Sequence, residues 1–359
     1  MFRHDREWPE TLPAGALSPP SVECSAVPGQ GVAVHGLLDC CNQVPASARM
    51  IPKVAGGKKR DNMESSHEYS RRTVLLACVY SLPRSGSTML LAELDRWEGI
   101  VCVPESYFPQ MLELMTPREL GDPRRMAALF LASSDSGAVL TFDEAVQCMM
   151  PHDPEGTITQ LGLACAAKTG RDLSKLRAIV WKTTRLVGRW KLFARAGGRF
   201  LVLRRNPVNV FDSQFRVDFG RRNRRPLRFA AFRESYEAVF CRLPRDLALC
   251  IDYESIPEQL ATVLSFLGIE QREWGVGESL LAQTSAKHRR HDHVMDGFKS
   301  RDVQQKRNVT TRQRALLRTG QILCRPLRPL FGLIRDHYDR QMMDVLRARA
   351  AELMDVHSG

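Results

Sequence analysis

A short polar segment with one arginine joins an apolar run to an amphipathic one. Residues 74–80 are apolar throughout, which is typical of a buried parallel strand, and helical spacing of apolar residues begins at Ser87. The segment between them, which contains Arg84 and Gly86, must turn sharply, so free backbone N–H groups and the positive end of the helix dipole face one point. Such a point binds a phosphate-like anion, and the guanidinium and the nearby hydroxyls add donors.

The same loop lacks the lysine of a nucleoside-triphosphate-hydrolysing P-loop. That motif, Gly-x-x-x-x-Gly-Lys-Ser/Thr, uses its lysine on the β- and γ-phosphates and its hydroxyl on magnesium. Here Arg84 precedes Gly86, and no lysine follows it in the loop. The loop therefore favours a terminal or single phosphate without a metal ion, although an ordinary strand-to-helix turn can have a similar sequence.

A second strand-to-helix junction has the same character. Residues 199–203 form another short apolar strand, and Pro207 suits the first turn of the helix that follows, where its missing N–H has no effect. Ser213 lies eight residues after Arg205, about two turns along a helix of roughly 3.6 residues per turn. The guanidinium and the hydroxyl can therefore converge on a second anion. Two strand-end anion sites predict a ligand with two separated phosphate-type groups.

The two motifs together resemble those of the sulfotransferases that use 3′-phosphoadenosine 5′-phosphosulfate (PAPS). The first is PRSGST after one strand, and the second is RNP after a later strand, followed by Ser213. The resemblance extends from about Arg72 to about Thr311. The residues that it assigns to the 5′-phosphosulfate end are Arg84, Ser85, Gly86, Ser87 and Thr88. It assigns Arg205 and Ser213 to the 3′-phosphate.

Other segments resemble the bacterial and tyrosylprotein-type branch of that family, in which a glutamate just past the second strand is the proposed base. Glu105 has that position here, although it could instead be an acid that stabilises the start of a helix over residues 107–114. Lys182 ends the apolar strand 178–182 and could act on the bridging oxygen as a cation or proton donor, a task that Arg84 could share. The alternative for Lys182 is an exposed lysine at a strand end.

Two C-terminal segments differ in how well they match the family. One of them resembles the family's segment with Tyr-Glu followed by Phe-Leu-Gly. It comprises residues 247–254, which end in Tyr253 and Glu254, and the later Phe-Leu-Gly at 266–268. Its lid motif is absent in recognisable form, and residues 298–308 are a candidate replacement. The resemblance implies no metal. A histidine cluster could suggest a metal site or another base but favours a polar loop; its members are His288, His291 and His293.

Strand and helix patterns alternate from Thr73 to Gly268, which predicts an α/β fold of the P-loop-NTPase-like kind, with a central parallel sheet and helices on both faces. Both motifs then fall at the carboxyl ends of strands, where such sheets bind ligands. Residues 1–68 are rich in Pro, Gly, Ser and Ala and are predicted to be a disordered or poorly structured extension, with Met63 an alternative start. Residues 69–359 are predicted to be the sulfotransferase domain.

The formal net charge of +12 raises the possibility of nucleic-acid binding, with five arginines within residues 221–228. No nucleic-acid-binding motif accompanies them, so a solvated basic loop or a surface that steers an anionic cofactor is favoured. No apolar run approaches the roughly 20 residues that span a bilayer, and the first ten residues lack a signal-peptide pattern. We therefore expect no membrane span and a cytoplasmic enzyme with reduced cysteines.

The sequence thus predicts a PAPS-dependent sulfotransferase that modifies an acceptor hydroxyl. The acceptor could be a sugar, a lipid, a tyrosine or a small metabolite, and residues 109–156 with the C-terminal third are expected to shape its pocket. Two other classes stay open, a P-loop-like kinase and a catalytically inactive nucleotide-binding protein. The sequence does not predict the oligomeric state.

Overall fold

Five strands form one parallel sheet within the part of the chain that the structure describes. The strands are β1 (Leu75–Ser81), β2 (Ile100–Cys102), β3 (Ala178–Thr183), β4 (Arg199–Arg204) and β5 (Ala248–Asp252). Their spatial order is β2-β3-β1-β4-β5, and every neighbouring pair is parallel. β1 is therefore central, and the carboxyl ends of β3 and β4 lie on either side of its own.

The structure is a computed structural model, and the residues that it describes are 74–103, 106–134, 139–216, 225–269 and 309–357. All of them belong to one compact unit, Ser66–Gly359. Several predicted features lie outside the described residues: the extension 1–68, Glu105, residues 221–224 of the basic segment, the histidines at 288, 291 and 293, and the candidate lid segment 298–308.

Twelve α-helices surround the sheet in the described ranges. They are α1 (Ser87–Leu94), α2 (Phe108–Met111), α3 (Pro117–Leu120), α4 (Pro123–Ser133), α5 (Phe142–Cys148), α6 (Pro154–Lys168), α7 (Lys191–Arg195), α8 (Pro207–Arg216), α9 (Pro226–Phe240), α10 (Ile256–Phe266), α11 (Thr311–Cys324) and α12 (Arg328–Val356). Short 3₁₀ turns occupy Leu112–Leu114, Arg245–Leu247, Tyr253–Ser255 and Arg325–Leu327.

Alternate residues of the central strand enter two different cores. Tyr80 of β1 packs with Trp181 and Phe200 in a large core that also takes residues from α2, α4, α6, α9 and α12. Val79 packs on the opposite face with Leu91 of α1 and residues of α10. Strands buried on both sides are apolar at every position, which explains the continuous runs in the sequence. The predicted α/β class, with a parallel sheet and helices on both faces, is confirmed.

Element boundaries differ from the sequence prediction at two places. The predicted strand 247–253 is shorter, since Leu247 and Tyr253 lie in 3₁₀ turns on either side of β5. The predicted helix 107–114 divides into α2 and a 3₁₀ turn that begins at Leu112. Both differences arise at element ends, where residue propensity discriminates least between a regular element and a turn. No described helix combines the length and apolar character needed to cross a bilayer.

The long C-terminal helix α12 is attached to the α3 region by an ion pair. Arg347 donates from Nε to Glu119 Oε1 at 2.8 Å and from Nη2 to Oε2 at 3.0 Å. Glu119 also completes a capping box with Thr116 at the start of α3. Burial raises the pKa of Glu119, but the hydrogen bonds from Arg347 and Thr116 outweigh burial and lower the pKa from 4.5 to about 2.

Replacing Glu119 by glutamine removes this charged pair, so we expect Glu119→Gln to lower the free energy of unfolding at neutral pH by about 1.5–3 kcal/mol. Because the folded pKa lies below the unfolded one, the wild-type contribution is complete above pH 4.5 and is lost as the pH falls towards about 2. Urea unfolding across that range checks this, and the variant should lack this component of the acid dependence.

Glu144→Gln is the matched control, because Glu144 closes the same kind of capping box with Thr141 but is 37% exposed, whereas Glu119 is 5% exposed. We expect a smaller loss from the control. Glu144 also pairs with Lys168, at 2.5 Å, so equal losses from the two variants would show that the buried Arg347 pair contributes no more than an exposed ion pair does.

Candidate functional site

The loop between β1 and α1 has a constrained backbone. Arg84 has φ 73° and Gly86 has φ 90°, both in the left-handed region. Gly86 is the N-cap of α1 and, lacking a side chain, makes no side-chain cap hydrogen bond. The N–H groups in the first turn of α1 therefore point out of the helix end towards the loop, which is the arrangement that binds anions. A left-handed arginine is costly by about 1–2 kcal/mol, a strain that often marks functional loops.

The two predicted anion motifs are in direct contact. Arg84 Nε donates to Ser213 Oγ at 3.2 Å, and Arg205 Nη1 donates to the Arg84 carbonyl oxygen at 3.0 Å. Burial, followed by the nearby positive charge of Arg205, lowers the pKa of Arg84 below its ordinary value. Holding two like charges together is unfavourable unless an anion joins them. The motifs therefore form one continuous positive surface, and the Arg84 side chain lies with the second motif.

Lys182 reaches the same loop from the other side of β1. It is 3% exposed at the carboxyl end of β3, and its Nζ donates to Thr88 Oγ1 at 2.9 Å. Lys182 is therefore buried rather than an exposed strand-end lysine. A buried ammonium beside a helix N-terminus adds positive charge where an anion would sit.

Tyr253 and Glu254 complete the site from the end of β5. The sequence indicated them only as a family motif, without a role at the site. The Tyr253 ring centroid lies 4.3 Å from Arg205 Cζ, a cation–π contact. Glu254 Oε1 accepts from the backbone N–H of Asn206 at 3.1 Å and from Asn209 Nδ2 at 3.3 Å. The pair therefore orients Arg205 and fixes the start of α8.

Gly86 is needed because the Tyr253 ring lies against it. A Cβ built on Gly86 would lie 2.1 Å from Tyr253 Cε2, well inside van der Waals contact.

Buried Gln214 adds a further contact that the sequence did not predict, because its Nε2 donates to the Pro83 carbonyl oxygen at 3.1 Å. Adjacent residues of α8, Ser213 and Gln214, thus hold two adjacent residues of the loop, Arg84 and Pro83.

A small cavity of about 20 Å³ opens beside the loop, between α8 and α9. Its lining includes Ser85, Arg204, Arg205, Arg233 and Glu237. Arg204 Nη2 pairs with Glu237 Oε2 at 2.9 Å, and Arg233 lies 3.5 Å from the other oxygen of the same carboxylate. Arg233 also pairs with Glu234 at 3.3 Å, so these two arginines are balanced by two carboxylates of α9.

The loop that follows Lys182 is fixed by α9 and by the C-terminal helix α12. Tyr236 donates from its hydroxyl to the Thr184 carbonyl oxygen at 2.6 Å, and the Gly188 N–H donates to Asp339 Oδ2 at 3.0 Å. Asp339 is completely buried and forms an ion pair of 3.0 Å with Arg335, which is itself stacked on the Tyr236 ring. This network positions the end of β3, and nothing in the sequence motifs indicated it.

The proposed base, Glu105, lies outside the described residues, so its role stays a prediction. On either side of it, the Val103 N–H donates to the Val180 carbonyl oxygen at 2.9 Å, and the Tyr107 ring lies 5.5 Å from Arg185 Cζ. The chain thus leaves β2 at the same sheet edge as Lys182. Within the described ranges, no three His, Cys, Asp or Glu side chains are grouped as metal ligands would be.

The sequence matches no family model and no curated protein. The fold is similar to the sulfotransferase domain from the Synechococcus PCC 7002 olefin synthase, at 19% identity over 68% of this chain and 93% of that chain, with a TM-score of 0.38. It is also similar to the sulfotransferase domain from the curacin biosynthetic pathway, at 17% identity over 69% of this chain and 98% of that chain, with a TM-score of 0.38. Similarity at this level is no evidence of a shared activity.

Gly86→Ala tests the packing of the loop against Tyr253. We expect it to lower the free energy of unfolding by more than the about 1–2 kcal/mol that a left-handed alanine alone costs, because the new methyl group meets the ring. Gly197→Ala is the control, since Gly197 has φ 76° and no atom within 4 Å of an added Cβ. Urea unfolding of both variants measures the difference, and equal losses would contradict the contact.

Proposed function

We propose that this chain is a sulfotransferase that moves the sulfuryl group of PAPS to an acceptor hydroxyl. The observation that carries the proposal is the convergence of Arg84, Lys182 and Arg205 on one helix N-terminus, at the adjoining ends of β1, β3 and β4. Three cationic groups that meet at one helix N-terminus suit a ligand of high negative charge. PAPS has such charge at two separated positions.

The 5′-phosphosulfate end is proposed to lie on the α1 side of the site. The backbone N–H groups of Ser87 and Thr88 would bind its oxygens, together with the hydroxyls of Ser85, Ser87 and Thr88. Lys182, already held 2.9 Å from the Thr88 hydroxyl, would stabilise the charge that develops on the departing phosphate. Arg84 is the second cation for that charge.

The 3′-phosphate is proposed to lie on the α8 side, on Arg205 and Ser213. The Tyr253 ring holds the Arg205 guanidinium in place, so little side-chain entropy would be lost when a phosphate binds. The Ser213 hydroxyl accepts from Arg84 Nε and keeps its own proton to donate. This arrangement supports recognition of the 3′-phosphate in particular.

Transfer requires in-line attack by the acceptor oxygen on sulfur. The new oxygen–sulfur bond forms as the bond from sulfur to the 5′-phosphate oxygen breaks, and that oxygen keeps the electron pair. The acceptor proton passes to a base, for which we propose the Glu105 carboxylate, a contribution of about 10²–10⁴-fold in rate. Positioning and electrostatic stabilisation supply the remainder, so the proposed reaction needs no metal ion.

The alternative classes have less support in the site. A P-loop-like kinase needs a lysine after Gly86, which the sequence lacks, and an acid for magnesium. Glu254, a carboxylate of the site, accepts hydrogen bonds from Asn206 and Asn209. A catalytically inactive nucleotide-binding protein would bind the same ligand without turnover.

The acceptor could be a sugar, a lipid, a tyrosine or a small metabolite. We propose that the reaction occurs in the cytoplasm, which the seven free cysteines of the described chain support.

The nucleotide is tested by comparing 3′-phosphoadenosine 5′-phosphate (PAP) with AMP. We expect PAP to raise the melting temperature far more than AMP, because only PAP has the 3′-phosphate. Arg205→Ala should weaken PAP binding by about 10–100-fold, the equivalent of a charge-assisted hydrogen bond, and leave AMP binding little changed. Arg195→Ala, at an exposed arginine of α7, is the control. Equal thermal shifts for the two nucleotides would contradict the role of Arg205 and Ser213.

The chemical step is tested with Lys182→Met and Glu105→Gln. Glu105→Gln should lower kcat with radiolabelled PAPS while PAP affinity stays nearly unchanged, because a base acts chiefly in the transition state. Lys182→Met should lower kcat and also weaken PAP binding, because PAP carries the 5′-phosphate charge that Lys182 would stabilise. Lys175→Met, at an exposed lysine paired with Glu98, is the control. Assays with a chelator should retain full activity, and a strict magnesium requirement would favour the kinase class. A Glu105→Gln variant with wild-type kcat would move the base to another residue, first among His288, His291 and His293.

A further inference from the structure

Exposed apolar side chains are concentrated where α11 meets α12. Ten large apolar residues are exposed in the described chain, and seven of them lie between residues 322 and 338. These seven are Ile322, Leu323, Leu327, Leu330, Leu333, Ile334 and Tyr338, which we call the apolar corner. Exposure ranges from 41% at Tyr338 to 73% at Ile322. A monomeric soluble protein rarely exposes such a continuous group unless another surface covers it.

The apolar corner is held firmly on the protein body. In α12, Leu330, Ile334 and Tyr338 are spaced by four residues and share the outward face, while Arg335 and Asp339 on the other face are buried. α11 approaches α9 closely, since a Cβ built on Gly320 would lie 2.8 Å from Ala230 Cβ. The exposed face is therefore the outer side of two well-packed helices and not a frayed end.

The same segment is strongly basic. Residues 309–338 contain six arginines and one acid, Asp336, which pairs with Arg189. Two of the six arginines are paired inward, Arg328 with Glu234 and Arg335 with Asp339. Arg312, Arg318 and Arg325 are exposed, and Arg318 shares a helix face with Ile322 four residues later. Apolar and cationic side chains thus lie side by side on one surface.

We propose that the apolar corner docks on an anionic lipid surface, with its apolar side chains at the acyl boundary and its exposed arginines among the phosphate headgroups. Charge decides between this partner and a second copy of the chain. Two copies that met through this face would bring their arginines together, whereas a negative membrane surface attracts them. A nucleic acid would use the arginines but leave the apolar residues exposed. Helices of this composition lie in the interface plane without crossing the bilayer.

The proposal is independent of sulfuryl transfer, because lipid binding is measured without PAPS or an acceptor. The full chain is floated with phosphatidylcholine vesicles, with or without phosphatidylglycerol, at about 0.15 M and about 1 M salt. We expect it to bind the vesicles that contain phosphatidylglycerol, to bind neutral vesicles much less, and to lose most of the binding at high salt. Equal binding to neutral vesicles would overturn the proposal.

Variants separate the two components of the surface. Two double variants are compared, Leu330→Gln with Ile334→Gln and Arg318→Gln with Arg325→Gln. Each should weaken vesicle binding by about tenfold or more. For the arginine variant, the reason is that each basic residue near an anionic surface contributes about fivefold. Met150→Gln with Val356→Gln changes exposed apolar residues outside residues 322–338, and Arg195→Gln with Arg245→Gln changes exposed arginines elsewhere. Both control pairs should bind as the wild type does.

Two results would overturn the proposal even if every variant folds, as judged by an unchanged melting temperature. One is wild-type flotation of the Leu330 and Ile334 variant. The other is a wild-type chain that sediments as a dimer, does not float, and becomes monomeric in that variant, which would make the apolar corner an interface between copies. A third result would also overturn it: the wild type does not bind vesicles and the variants are destabilised. The apolar corner would then be covered by another part of the chain.

Discussion

The repulsion between Arg84 and Arg205 is the constraint that the rest of the site must overcome. Both guanidinium groups lie at one sheet edge, and the partial burial of Arg84 makes its positive charge more costly still. Hydrogen bonds to Ser213 and to a backbone carbonyl, and the face of the Tyr253 ring, hold the two groups in place.

Parallel strands make this concentration of charge possible. Because β1, β3 and β4 run in the same direction, the residues that follow each strand meet at one edge, beside the N-terminus of α1. The rigidity of the site comes instead from helices outside the sheet. α8 holds the loop through Ser213 and Gln214, and α12 holds the segment after Lys182 through Asp339. Positive charge and packing are therefore supplied by different layers of the fold.

Local patterns in the sequence predicted the strands that carry the site and the starts of α1 and α8, because burial on both faces and a proline at the first helical turn are visible in a few consecutive residues. The contact of Tyr253 with Gly86 could not be predicted in this way, since it joins the ends of two strands that are not neighbours. The buried pair of Arg335 and Asp339 was also missed, because charged residues usually indicate an exposed helix face.

The order of the strands has a consequence for how the chain acquires its site. Leu75 pairs with Ala178, and Arg84 bonds to Ser213 across 129 residues of sequence. Contacts this distant form late and slowly, because the entropy of closing long loops is lost before the contacts are gained. No early folding intermediate can then present the complete anion site. A ligand that requires Arg84, Lys182 and Arg205 together would recognise only finished molecules, and its presence would draw the folding equilibrium towards them.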